Sequence, residues 1–288
     1  MTYALPSIGV VVLTMGQRPV ELQQAVQSVL DQVDVKVSVV VVGNGWEPVG
    51  FPESVQTLGL PENVGIPAGR NAGAKTFDTP LLFFLDDDAR LPTPTTLREM
   101  VDRMIGDRAL IQPRVVDPTG LRPPGRWVPR LRAGNPARPG PATSLWEGAT
   151  LVKTDAFIAA GGWPDEFFYA HEGIDLVWRI WDFPASAWYA GDVAVYHPVI
   201  QPTRHREFWR MNARNRVWLA RRNLPLVLEP WYVGSWVLLT VLRVREPAAL
   251  RAWFAGLGEG LRVRPIGRRP MQWRTVWRLA KAGRPPVI

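Results

Sequence analysis

The stretch Leu81-Leu82-Phe83-Phe84-Leu85-Asp86-Asp87-Asp88 decides how this 288-residue chain folds. Five apolar residues without alternation describe a strand buried on both faces, the kind found in parallel sheets covered by helices. Three adjacent carboxylates at its mouth repel one another, a cost removed when a divalent cation or another positive charge sits among them. Side chains two apart on an extended segment point the same way, so Asp86 and Asp88 are expected to act together while Asp87 faces away. Met in isolation, three acids read better as a solvated turn or a helix N-cap cluster. The flanking sequence decides against that.

Upstream, Ile8 to Leu13 is an apolar β-type run. Residues 21–32 follow, with Leu22, Val26, Val29 and Leu30 at helical spacing. A second β run, Val37 to Val42, stops at Gly43-Asn44-Gly45 and completes a β-α-β unit. Gln56 to Leu60 predicts a short strand and Ile66 to Phe77 a helix. Strands alternating with helices imply an α/β fold, a mostly parallel sheet with helices on both faces, whose ligands lie beyond the carboxyl ends of the strands. The aspartates stand at such an end.

Downstream, Asp117 to Pro141 is dense in Pro, Gly and Arg and has neither period, which predicts a mobile loop over the site. Leu145 to Val152 resumes β character, and Thr154 to Ala160 reads as a short helix capped by Thr154 or Asp155 and ended by Gly161-Gly162. Ile174 to Trp181 has helical potential, Trp188 to Tyr196 reads as an edge strand ending at His197, and a long helix is expected over Arg204 to Arg222. There is no internal repeat and no Gly/Ser linker.

Several motifs, in order, carry a resemblance: Thr14 after the first strand, Glu62-Asn63-Val64-Gly65 with Gly69-Arg70-Asn71-Ala72-Gly73, then Leu85-Asp86-Asp87-Asp88. Gly148-Ala149, Gly161-Gly162-Trp163-Pro164-Asp165-Glu166-Phe167-Phe168 and Glu172-Gly173-Ile174-Asp175-Leu176 with Trp178-Arg179 continue the series. Over roughly residues 7–222 the chain resembles glycosyltransferase family 2, the inverting GT-A enzymes, and within it the rhamnosyltransferase-like branch acting on polyprenyl-linked or cell-envelope acceptors.

That resemblance implies a sugar donor linked to UDP, dTDP or GDP, a glycan or polyprenyl-linked acceptor, and Mn2+ or Mg2+. It sets Thr14, Arg18 and Asn44 in the nucleotide pocket. Asn63, Arg70 and Asn71 would approach the diphosphate or support its loop, with Asp86 and Asp87 beside the sugar nucleotide. A guanidinium offers phosphate a forked, permanently charged partner, which suits Arg70. Asp86 and Asp88 match the family's Asp-x-Asp metal motif, and His197 stands where many members supply a further ligand, although a lone histidine can equally be a packed one. Trp163, Asp165 and Glu166 are expected on the acceptor side.

Two departures from the family pattern matter. The segment usually written Glu-Asp-x-Asp has its base at the second position, which here is Gly173. The acceptor's proton must then go to Glu172, to Asp175, or to Asp165 or Glu166, with Glu172 the first choice because the flexible Gly173 lets the loop re-aim it. Asp175 would otherwise anchor the helix N-terminus or bind acceptor hydroxyls. The second departure is Gly43, where an aspartate commonly meets the nucleobase; Trp46 nearby would stack on a base or cap the core. Together these keep open an alternative, a non-catalytic nucleotide-sugar or glycan binding protein on the same fold. A nucleotidyltransferase would call for a Gly-rich phosphate loop after the first strand, which Leu13-Thr14-Met15-Gly16-Gln17-Arg18 matches poorly.

The net charge of +8 is unevenly spread: residues 201–288 hold 18 of the 34 Lys/Arg and 4 of the 26 Asp/Glu, about +14, leaving about −6 for 1–200. Seven of the 14 tryptophans lie in that tail. The expected organisation is a catalytic domain over 1–200, with a nucleotide-sugar half to about 115 and an acceptor half from about 145, followed by a basic, Trp-rich helical extension over 201–288. Arg and Trp beside apolar stretches suit an anionic membrane surface, and no nucleic-acid motif accompanies them. Leu224 to Val244 approaches the length of a membrane span but contains Pro225, Glu229, Pro230 and Arg243, so an interfacial helix is expected, or else a helical pair packed on the domain or on a second subunit as a homo-oligomer. With no cysteine and no basic-then-apolar signal in Met1 to Pro6, the expected place is cytoplasmic, peripheral on the inner membrane face.

Overall fold

The structure, a computed structural model, describes residues 4–131, 134–199 and 207–287. The first half of the chain builds β1 (Ser7–Thr14), α1 (Pro19–Leu30), β2 (Lys36–Asn44), β3 (Val55–Leu60), α2 (Ile66–Ala74) and β4 (Leu81–Asp86). β1 pairs in parallel with both β2 and β4, in a register that sets Thr14 beside Gly43 and Leu13 beside Asp86, so three strands end on one rim. Continuous apolar runs are explained by burial on two sides. Ile8, Val10, Val12, Phe83 and Leu85 pack with Leu22, Ala25, Val26 and Val29 of α1. Val11, Leu82 and Phe84 point the other way, into a core shared with Phe157, Trp163 and Leu176.

The second half adds α3 (Thr96–Asp102), β5 (Arg108–Val116), a short 3-10 helix at Gly125–Trp127, β6 (Gly140–Pro141), β7 (Ala149–Lys153), α4 (Thr154–Ala160), a second 3-10 turn at Asp165–Phe167, α5 (Glu172–Trp181) and β8 (Ser186–Tyr196). β7 runs antiparallel between β4 and β5, and the eight strands stand in the order β3-β2-β1-β4-β7-β5-β8-β6. β8 is not the edge: it lies between β5 and the two-residue β6, where Gly140 faces Tyr189 and Pro141 faces Trp188. A two-residue strand made of Gly and Pro has no period to betray it, which is why the segment 117–141 reads as pure loop. α3 and β5 also escape the sequence reading. α4 has the expected left-handed Gly161 after its end, but no side chain caps its start; Thr154 Oγ1 instead donates to the Thr79 carbonyl at 2.5 Å.

Beyond residue 206 come α6 (Phe208–Asn223), α7 (Glu229–Arg243), α8 (Pro247–Arg262) and α9 (Trp273–Lys281). The predicted start of the long helix at Arg204 lies outside the described residues; its body is α6. Pro230 occupies the first turn of α7, where its missing N–H costs nothing. No helix among the described residues is long and apolar enough to cross a membrane. α6 packs on α8 and also reaches the sheet domain: Asn215 Nδ2 meets the carbonyls of Phe167, Tyr169 and Ala170 at 2.7–2.9 Å. Those bonds hold a turn in which Phe168, Ala170 and His171 all have φ of 62–73°, a conformation costly for residues with a Cβ.

Candidate active site

β4 ends at Asp86, and its three carboxylates part company there. Asp87 turns toward β1, accepting from Thr14 Oγ1 at 2.7 Å and from Arg18 Nη1 at 2.9 Å. Arg18 also bonds Asp88, and His197 Nε2 lies 3.2 Å from the other oxygen of Asp88. Asp86, Asp88 and His197 each offer a ligand atom, all within 4.8 Å of one another. Two carboxylates and an imidazole are a donor set that fits a divalent cation. His197 Nδ1 is buried with no hydrogen bond among the described residues, and the ring is flanked edge-to-face by Trp127 and Trp146 at 5.4 and 5.0 Å. Trp127 comes from the Pro-rich segment, and fully buried Gln112 of β5 ties it to Trp146 by accepting from the Trp146 N–H and donating to the Trp127 carbonyl.

The electrostatics follow from this packing. Burial alone would press the His197 imidazole down, but the hydrogen bond and charge of Asp88 outweigh it and its pKa is raised. Asp88 is held low in turn: burial opposes, and His197 with Arg18 wins. Asp87 is pushed up to about 6, chiefly by burial, against the Thr14 hydrogen bond and Arg18.

Behind Asp86 lies a second acidic pair that the sequence reading half missed. Arg70, only 2% exposed, donates to Asp86 Oδ1 at 2.6 Å and sits 5.3 Å from the Trp163 ring centroid. Its Nη1 is buried without a partner among the described residues. Glu172, at the first turn of α5, is 3% exposed, and its Oε2 likewise takes no hydrogen bond among them. Glu147, in the turn before β7, accepts from the Gly173 N–H at 2.9 Å. Both carboxyls are pushed up, Glu147 by burial and then by the charge of Glu172, Glu172 by burial, with Arg70 opposing in each case. Tyr169 beside them rises to about 12 by burial and the same two charges. Glu147 stands directly before Gly148-Ala149, and nothing in its spacing marks it.

Several expected site residues have other partners. Asp175 is fully buried and its oxygens accept from Arg179 Nε at 3.1 Å, Arg222 Nε at 3.1 Å and Asn223 Nδ2 at 2.6 Å. These partners hold Asp175 as an anchor between α5 and α6, away from Asp86, Asp88 and His197. Trp163 is 1% exposed and packs against Phe84 and Phe157, so the core, not an acceptor, covers it. Asn71 holds both the carbonyl of Trp163 and, at 2.5 Å, the carboxylate of exposed Asp165, which fits the supporting role rather than contact with phosphate. Glu166 pairs with Arg222 at 2.5 Å. Asn44 is buried and brackets the next loop, donating to Asn63 Oδ1 and accepting from the Val64 N–H. Trp46 caps the core: a Cβ on Gly16 would lie 2.5 Å from its indole.

Solved structures follow the same chain path. They include the mannosyltransferase PcManGT of Pyrobaculum calidifontis in complex with GDP-Man and Mn2+ (TM-score 0.59, 16% identity, 90% of this chain and 88% of that one). S. aureus TarS 1-349 superposes with TM-score 0.60 at 14% identity, covering 89% of this chain and 80% of that one. GalNAc-T7 with UDP, GalNAc and Mn2+ gives 0.61 at 12%, covering 91% of this chain and 55% of that one. At such identities the likeness establishes the fold, which is GT-A. The chain belongs to glycosyl transferase family 2, whose sequence model matches residues 10–158, just over half its length. No curated protein matches the chain.

Proposed function

We propose that the protein transfers a sugar from a UDP-, dTDP- or GDP-linked donor to a hydroxyl of a glycan or lipid-linked acceptor, with inversion, in cell-envelope polysaccharide synthesis. The observation that carries this reading is the gathering of Asp86, Asp88 and His197 at the carboxyl end of β4, one side chain away from the Glu147–Glu172 pair. Asp86, Asp88 and His197 would hold Mn2+ or Mg2+. When bound, the cation neutralises charge on the departing diphosphate. Arg18, whose side chain is 45% exposed, is the guanidinium free to move from the aspartates to the phosphates. Arg70 stays behind Asp86 and orients it. Inversion needs a carboxylate on the face opposite the leaving group, and the Glu147–Glu172 pair supplies that proton acceptor.

The catalytic part is taken as about 1–200 and the extension as 201–288. Trp231, Leu238 and Leu242 of α7 are 56–71% exposed, and Trp273 and Trp277 of α9 are 52% and 65% exposed, among many arginines. These faces support peripheral attachment to the inner face of the cytoplasmic membrane. Gly173 keeps one rival in view, a binding protein without transfer. Thermal shifts with UDP, GDP and dTDP, each with Mn2+ or with chelator, test the donor site, because a ligand that binds only the folded state raises Tm. Release of nucleoside diphosphate from the matching sugar nucleotide separates enzyme from binder.

A further inference from the structure

A Cβ placed on Gly173 would lie 2.3 Å from Glu147 Oε1 and 2.7 Å from both Cδ and Cγ of Glu147. The nearest atoms to the absent side chain thus all belong to one carboxylate arm, delivered from 26 residues upstream. The Gly173 N–H, in the first turn of α5, fixes Oε1. No other described residue donates a side-chain or backbone hydrogen bond to Oε2, the Gly173 N–H being taken by Oε1. Glu147 is half-buried, whereas Glu172 is 3% exposed and lies deeper. Two carboxylates face a single buried guanidinium, Arg70, which already serves Asp86. One of the pair is therefore poorly neutralised as an anion and well placed to take up a proton.

We propose that Glu147 is the group that accepts the proton of the acceptor hydroxyl, filling with its own carboxylate the space that position 173 leaves without one. This rests on the transfer reaction proposed above. In that step the hydroxyl proton passes to Glu147 Oε2 and the acceptor oxygen bonds to the anomeric carbon. The bond from that carbon to the phosphate oxygen breaks, and its electron pair leaves with the nucleoside diphosphate. Glu147 then returns its proton to solvent.

The geometry supplies its own rescue. Gly173 has no positive φ and the three atoms nearest to its Cβ direction all belong to Glu147, so removing that side chain opens room for an aspartate at 173, favoured by the helix N-terminus. Wild type, E147Q, E147A and E147A/G173D are compared for nucleoside diphosphate release from the sugar nucleotide that binds, with Mn2+ present and water as acceptor. Nucleoside diphosphate binding is read separately by thermal shift. E147Q keeps the shape and the hydrogen bond from Gly173, so it should fold and bind as wild type while turnover falls roughly 100-fold or more. E147A should be as slow, and E147A/G173D should regain at least tenfold over E147A. Turnover in E147Q within about threefold of wild type overturns the assignment, as does loss of binding in step with turnover, which would make Glu147 structural. A wild-type protein that binds the diphosphates yet never releases them from sugar nucleotides brings down the transfer reading itself, a result distinct from either.

Discussion

Asp175 on α5 and Arg222 on α6 meet at 3.1 Å in a fully buried contact that joins the sheet domain to the C-terminal helices. Arg179 and Asn223 complete the set, and Arg222 also reaches Glu166. The cationic tail thus fixes the turn that presents Glu172.

Asp175→Asn should be strongly destabilising, because it leaves two buried guanidinium groups without their shared counter-charge. The expected loss is about 3–5 kcal/mol, the range for breaking one side of a buried pair. Urea unfolding of wild type and variant measures it; a change below about 1 kcal/mol would show the network to be dispensable.

Stability should fall as pH rises from neutral to alkaline in protein free of divalent cation. Glu147, Glu172 and Asp87 have pKa values raised on folding, so the folded state holds protons that the unfolded chain releases. The Asp87 contribution is present below its ordinary value of 3.8 and lost as pH passes about 6; that of Glu147 is lost as pH passes about 8, and that of Glu172 has the same sign. His197, also raised, acts in the same direction above its usual 6.5. Asp88, held low, acts oppositely and only at the acid end. His171, held well below its usual 6.5 by burial, acts oppositely as pH rises toward that value, so melting temperatures should decline above it, and E147Q should flatten the decline.

Asp88→Asn should weaken cation binding by roughly 10–100-fold and lower turnover accordingly, with the fold intact. Isothermal titration with Mn2+ in the presence of UDP or GDP reads the first effect. Full activity of this variant in chelator would refute the metal reading.

Gly43→Asp should destabilise, not restore a base contact, since its Cβ would fall 1.9 Å from the Trp46 carbonyl. A loss of about 1–3 kcal/mol is expected from the forced backbone shift, visible as a lowered Tm.

Anionic vesicles should co-sediment the full chain, with binding that weakens but persists as salt is added. Screening removes the contribution of the arginines and leaves that of exposed Trp231, Trp273 and Trp277. Charge-reversing α7 and α9 surface residues should abolish the salt-sensitive part. Indifference to such vesicles would make the tail a packing element alone.

The alternating apolar runs were enough to place β1, α1, β2, β3, α2 and β4 within a few residues, because each element carries its own period. The triple aspartate announced a metal-type site because like charges at a strand end need a counter-charge nearby. β6 was invisible because two residues carry no pattern, and the edge assignment of β8 failed with it. Asp175 and Trp163 looked functional from their motif, yet what surrounds them is core.

By itself the sequence determined the first four strands, their rim and the residues Asp86 and Asp88 that the rim presents, since burial of strand and helix faces is a local, periodic requirement. Only the tertiary structure decided that Asp175 is spent on Arg222, 47 residues away, and that His197 stands between Trp127 and Trp146. It alone decided that Glu147 fills the space beside Gly173. Such meetings join segments with no common period, and which carboxylate is neutralised and which keeps a free oxygen depends on the partners that packing brings within about 3 Å.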